Sequence, residues 1–204
     1  MTTPPPPYRS SNPTTTTQTA IVQTGDVSAS RLPIAVSHTA PLPTIPSPHH
    51  VLVRVLAVAL NPTDHKMPTH FPTPGATMGC DFCGIVVSRH EDGTAESRSA
   101  SFSPGTRVCG ATYGYNPDDP HNGAFAEYVV ADARLLLRVP TSWTDLQAAA
   151  LGGIGWGTLG LALWGFETLA LVGRPGAPVE RPAPVLVYGG GTATGTMACQ
   201  LLKL

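Results

Sequence analysis

The hydrophobic pattern changes character twice along the chain. Residues 1–18 hold a proline run (Pro4 to Pro7) and a threonine run (Thr14 to Thr17), with nothing to build a core, and read as a disordered tail. From Thr19 short apolar runs follow at close spacing. Ala20-Ile21-Val22 and Leu32 to Val36 are expected as strands. Residues 40–48, with four prolines, are expected as an extended linker. His50 to Leu60 (HVLVRVLAVAL) is the strongest strand signal, with Val51, Val53 and Val55 on one face. Asn61-Pro62 ends it and opens a proline-rich loop. Gly84 to Val87, Gly105 to Cys109, Ala124 to Val130 and Leu135 to Val139 are further strands, and residues 89–104 a polar surface loop. Many short strands in succession predict an irregular β-barrel over 19–140.

Pro140 closes that region. Thr144-Asp145-Leu146-Gln147 has the form of a capping box, with Thr at the N-cap and Gln three residues on. It predicts a helix to about Leu151, an interruption at Gly152-Gly153, and a second helix from about Gly155 to Trp164. Residues 171–184 form a Gly/Pro linker. Pro184 to Tyr188 then reads as a buried strand, Gly189 to Gly195 as a turn and Thr196 to Leu202 as the start of a helix. The class is α/β: a barrel domain over 19–140, then a helical connection and a first strand–turn–helix unit over 141–204.

Composition narrows the function. Net charge is -1 and only 12% of residues are charged, which gives nucleic acid or an anionic membrane no electrostatic footing as a partner. No uninterrupted apolar run reaches the ~18 residues of a membrane span; Ala148 to Trp164 contains five glycines. Four cysteines (Cys80, Cys83, Cys109, Cys199) are too sparse for a disulfide scaffold. With no secretory signal pattern, a cytoplasmic location is expected.

The richest chemistry lies at the end of the chain. In VLVYGGGTATGTMACQLLKL an apolar strand enters a glycine-rich turn and then a helix, which is how dinucleotide-binding units begin. Glycines admit a pyrophosphate, and the helix N-terminus offers N–H donors. Gly189, Gly191 and Gly195 stand one residue off the usual spacing, so the segment is either a cofactor turn or a tight turn without ligand. No Lys precedes Thr196, which rules out a Walker A loop.

Four segments in order resemble the medium-chain dehydrogenase/reductase family: VLVRVLAVALNPTDHKM, MGCDFCGIVV, NGAFAEYVVADARLLLRVP and VYGGGTATGTMACQL. That resemblance implies a GroES-like β-barrel catalytic domain followed by a Rossmann dinucleotide-binding domain, of which only the opening is present. Zinc-dependent members carry His-Glu where this chain has Cys80-Asp81, and the 89–104 loop lacks cysteines, so no metal is expected. NPTDHKM and GGGTATGTMA resemble the zinc-free trans-acting enoyl reductases of fungal polyketide synthases.

The resemblance implies NADP(H) as cofactor and an α,β-unsaturated thioester on the acyl carrier domain of a polyketide or hybrid synthase as substrate. It also implies a monomer. Pro62, Thr63, Asp64 and His65 fall where the family meets the nicotinamide end, and Gly191, Thr192, Ala193, Thr194, Gly195 and Thr196 where it holds the pyrophosphate. Leu151, Gly152, Gly153, Ile154, Gly155, Trp156, Gly157 and Thr158 match its acyl pocket. The bare residues leave other readings open. Asn61 to Asp64 is also an Asx/Pro turn ending a strand. Lys66 is a phosphate ligand or a solvated charge. The glycines at 152–157 serve close helix packing or pocket space, and Glu127-Tyr128 caps a strand edge. No catalytic acid stands out. A zinc-free quinone or alkenal reductase and a non-catalytic interaction fragment are the alternatives.

Overall fold

The computed structural model describes residues 13–26, 31–90, 98–181 and 183–203. The chain divides into two compact units, Met1–Gly153 and Ile154–Leu204. Most of the expected tail, residues 1–12, lies outside the described residues, as does 91–97 of the expected polar loop.

The first unit is built on antiparallel strands. β1 (Thr17–Gln23) pairs with β2 (Ile34–Pro41), with a register shift between Gln18 and Ala20. β3 (His50–Ala59), β4 (Asp81–Arg89), β5 (Arg107–Ala111), β6 (Tyr128–Asp132) and β7 (Leu137–Arg138) form a second sheet in the order β6-β3-β4-β5-β7. Single bridges, Ala20 to Ala126 and Val22 to Thr77, link β1 to the connections of that sheet. Side chains complete the closure: Thr19 N–H donates to Glu127 Oε2 (2.7 Å) and Tyr128 N–H to Gln18 Oε1 (2.8 Å).

β3 is buried on both faces, Leu52 packing with Val87 and Val130 on one side and Val51 and Val53 facing the main core on the other. Val51 and Val53 are fully buried and pack with Phe82, Val86, Val108 and Val129 in the main core. Cys83 and Cys109 face each other across β4 and β5 and pack with Ala148 and Ala149, as small apolar side chains do. Glu127 caps the edge of β1, the structural role expected for it.

Several boundaries differ from the sequence reading. β1 begins at Thr17, inside the expected tail, because Gln18 is buried with its amide bonded to Tyr128 and Pro41. β2 runs on to Pro41, into the expected linker. The proline-rich loop after Asn61 is instead a helix, α1 (Pro62–His70). Pro62 stands at its first position, where a missing N–H costs nothing. Asp64 Oδ2 accepts the Asn61 N–H (2.6 Å), satisfying a donor at the helix entrance.

α2 (Asp145–Leu151) has the expected Thr144/Gln147 capping box, with Gln147 N–H donating to Thr144 Oγ1 (3.2 Å) and Thr144 N–H to Gln147 Oε1 (2.9 Å). It stops at Gly152, whose φ of +49° a side chain rarely adopts. The stretch Asp145–Trp164 has a mean hydropathy of 1.3, but this break leaves two pieces of 7 and 11 residues. Each is short of the ~20 residues that a span needs.

The second unit holds α3 (Ile154–Trp164) and α4 (Ala193–Leu201), packed through Leu159, Leu163 and Ala198. Trp164 joins this cluster and its Nε1 donates to Gly173 O (2.6 Å). The expected buried strand Pro184 to Tyr188 forms no strand, and Tyr188 already belongs to the turn that follows. A strand exists through its ladder, and no described strand lies beside this one; Leu186 and Tyr188 are exposed. α4 begins three residues before the expected Thr196.

Candidate functional site

The site residues of the first unit gather where β3 ends and β4 begins. Asn61 closes β3 in an extended conformation and starts α1. Its side-chain Nδ2 donates to Asp81 Oδ2 (2.8 Å), and Asp81 Oδ1 accepts the Gly153 N–H (2.8 Å). Asp64 is buried and faces inward, where Tyr115 O–H donates to its Oδ1. The same phenol oxygen accepts the Gly79 N–H (3.3 Å). Tyr115 is itself buried and sits at φ +65°, a strained backbone for a bulky residue.

Of the four residues expected at the nicotinamide end, Pro62 and His65 are exposed, Thr63 is half-buried and Asp64 is turned into the protein. Lys66 is exposed. Burial, reinforced by the charge of Asp81, raises the Asp64 carboxyl to about 6 against the pull of the Asn61 N–H. The folded state therefore holds a proton between pH 4 and 6 that the unfolded chain has released. Stability from this group rises as pH falls through 6, and the cost of the buried charge is fully present above it. A shift of about two units is worth about 3 kcal/mol. We expect unfolding in urea to show wild type gaining on Asp64→Asn by up to about this amount between pH 7 and pH 4. Equal gaps at both pH values would refute the assignment.

Cys80 and Cys83 are buried thiols, both pushed up to about 12 by burial first, then by the nearby carboxylates of Asp64 and Asp145 respectively. Such thiols are inert.

The stretch expected to line an acyl pocket divides between the units. A Cβ at Gly152 would lie 2.3 Å from Asp81 Cγ, and one at Gly153 2.6 Å from Ala111 N. These two glycines therefore serve close packing beside Leu151. In the second unit, Gly155 packs in the same way, its Cβ position 2.9 Å from Met197 Sδ, while nothing lies within 4 Å of one at Gly157. Ile154 and Trp156 are half-buried and Thr158 is exposed.

The glycine-rich turn is tight. Thr192 Oγ1 accepts the Gly195 N–H (3.0 Å) and donates to Gly189 O (2.9 Å), and Thr196 Oγ1 donates to Gly190 O (3.0 Å). These two hydroxyls are spent on the turn itself. What remains toward a ligand is backbone: the first-turn amides of Ala193 and Thr194, which the helix does not use, and the open space at Gly191, where a Cβ would meet nothing within 4 Å. This arrangement fits a pyrophosphate.

Sequence reasoning passed over Tyr115 altogether and weighed Asp81 only as a substitute for a zinc ligand. A lone carboxylate heading the apolar run Phe82 to Val87 was the available signal; Tyr115 carried none.

Comparison with known proteins agrees with this architecture. Residues 47–141 match the alcohol dehydrogenase GroES-like domain. An alcohol dehydrogenase superfamily protein from Novosphingobium aromaticivorans has a TM-score of 0.65 at 27% identity, over 90% of this chain and 49% of that one. The quinone oxidoreductase of Coxiella burnetii gives 0.62 at 27%, over 91% and 53%. The chain thus carries a match to that GroES-like domain and is similar in fold to these proteins. Among curated proteins it is 60% identical over 190 residues to trans-enoyl reductase calK of Penicillium decumbens (92% of this chain, 51% of that protein) and 54% over 187 residues to sthE of Phaeosphaeria nodorum (92% and 49%). It is similar to these fungal proteins, and spans about half the length of the curated relatives it matches.

Proposed function

We propose that this chain carries the catalytic domain and cofactor turn of a trans-acting enoyl reductase of fungal secondary metabolism. It would act as a cytoplasmic monomer on an α,β-unsaturated thioester held by the acyl carrier domain of a polyketide or hybrid synthase. The observation that carries the reading is the 60% identity to calK over 92% of the chain. The turn around Gly191 holds the pyrophosphate of NADPH by backbone N–H groups, and the α1 entrance at Pro62, Thr63 and His65 meets the nicotinamide end. NADPH held there would supply the hydride for the β-carbon of the enoyl group, with solvent providing the proton for the α-carbon. Orientation is the larger part of what the protein contributes to such a transfer. Asp64 supports it from inside, fixing the start of α1 through Asn61 and Tyr115.

The structural likeness to a quinone oxidoreductase favours a second reading, a reductase of free quinones or alkenals on the same scaffold. Binding of NADPH and NADH to the purified chain, followed by turnover with a carrier-bound enoyl thioester and with a free quinone, tests both. Preference for NADPH and for the carrier-bound thioester is the expected result. Turnover of free quinone alone would establish the second reading, and failure to bind either nucleotide would refute both.

A further inference from the structure

Asp81 is a carboxylate at the head of a strand that is otherwise apolar and buried from Phe82 to Val87. Its neighbours in register are Ala59 on β3 and Ala111 on β5. Packing alone asks for an apolar residue here, since a buried carboxylate is costly unless its oxygens are bonded. Each oxygen has a donor from a different segment. Oδ2 takes the Asn61 side chain, 20 residues before it, and Oδ1 takes the Gly153 N–H, 72 residues after it, both at 2.8 Å. The fit is close on the second side: the carboxyl group fills the space a side chain at Gly152 would need, 2.3 Å from its Cβ position.

We infer that Asp81 is a positioning residue, which fixes the Gly152–Gly153 turn against the Asn61 entrance of α1 and so sets the geometry in which alkene and nicotinamide meet. This rests on the enoyl reductase reading, because the two segments it ties are the start of the cofactor-end helix and the head of the stretch matched to the acyl pocket. The Asp81 carboxylate is bonded to Asn61 and Gly153 of the protein itself. Its action is on the backbone at Gly153 and on the side chain of Asn61, and a misplacement of either by about an ångström is enough to cost on the order of 100-fold in rate.

Asp81→Asn and Asp81→Ala separate positioning from folding. The Asn variant keeps one acceptor, so one of the two donors loses its partner; the Ala variant frees both. In the full 204-residue chain, amide hydrogen exchange at Gly153 is expected to quicken about tenfold in Asp81→Ala, with the exchange of β4 and β5 amides unchanged. With carrier-bound enoyl thioester, kcat is expected to fall roughly 10- to 100-fold in both variants, while KM for NADPH moves less than about twofold. Asp81→Asn retains more activity than Asp81→Ala. Unchanged exchange at Gly153 in a folded variant would overturn the inference, as would a parallel loss of kcat, cofactor affinity and melting temperature. Absence of turnover by the unaltered chain would count against the reductase reading alone, and the Gly153 exchange rates would still decide what Asp81 holds in place.

Discussion

Gly195→Val is expected to weaken nicotinamide cofactor binding on the order of 100-fold while leaving the β-barrel folded. The Cβ position at Gly195 lies 2.2 Å from Gly189 O and 2.9 Å from Gly190 Cα, and both obstacles are backbone. The turn has to open, and the Thr192 cap on the Gly195 N–H is lost with it. The first-turn amides of Ala193 and Thr194, proposed to hold the pyrophosphate, are then displaced. Losing two charge-assisted hydrogen bonds to a phosphate is worth on the order of 100-fold in affinity. Gly191→Ala is the matching control. Its Cβ meets no protein atom within 4 Å, so the turn keeps its shape and the methyl group stands in the ligand's space. Fluorescence titration with NADPH should show weak binding in both variants, with circular dichroism altered in neither barrel. Native affinity in Gly195→Val would remove the turn from the cofactor site.

Phe82→Ala carries the largest expected effect on stability. Phe82 is fully buried at the centre of the five-stranded sheet, opposite Val58 on β3 and Gly110 on β5. It packs in the cluster that includes Val51, Val53, Val86 and Val129. Sheet backbones relax little, so the cavity stays open and the loss is about 3–5 kcal/mol. That is a large part of the total of a typical domain, about 5–15 kcal/mol. Urea unfolding should place the midpoint well below wild type with an unchanged slope. A loss under about 1 kcal/mol would mean that the core is not organised around this ring.

The barrel strands were legible as short runs rich in β-branched residues bounded by turn residues, not by a period of two: β3 is buried at three successive positions, Val51 to Val53. The capping box at Thr144 was legible because its two partners are three residues apart. α1 was not, for two reasons. Pro62 and Pro68 resemble loop residues, and the helix has so little apolar content that no stripe marks it. Its entrance is held by Asn61 and Asp64, a variant of the Ser/Thr–Glu/Gln pattern that capping searches use. The segment Pro184 to Tyr188 failed in the opposite sense: its composition suits a strand, but a strand is defined by neighbours, which local sequence does not encode.

The candidate site was legible where residues are contiguous, as in NPTDH and the glycine turn, and illegible where it is assembled. Asp81 meets Gly153 across 72 residues, and Tyr115 meets Asp64 across 51. No periodicity or spacing predicts such pairs. The glycines at 152 and 153 show the same limit, since whether a missing side chain leaves space or admits a neighbour depends on what stands opposite.

The closure of β1 has a consequence for how the protein is made. Thr19 and Gln18 bond to Glu127 and Tyr128 across 108 and 110 residues. On a ribosome adding about 5–20 residues per second, β1 waits roughly 5–20 s for its partners to be synthesised. Meanwhile β2 is its sheet partner among the described residues, and β3 lacks the β6 strand that covers its edge. Loop-closure entropy across so long a span makes this docking a late event in folding as well. The nascent chain is therefore most exposed to aggregation before β6 emerges, and slowing synthesis within residues 60–125 would lengthen that interval.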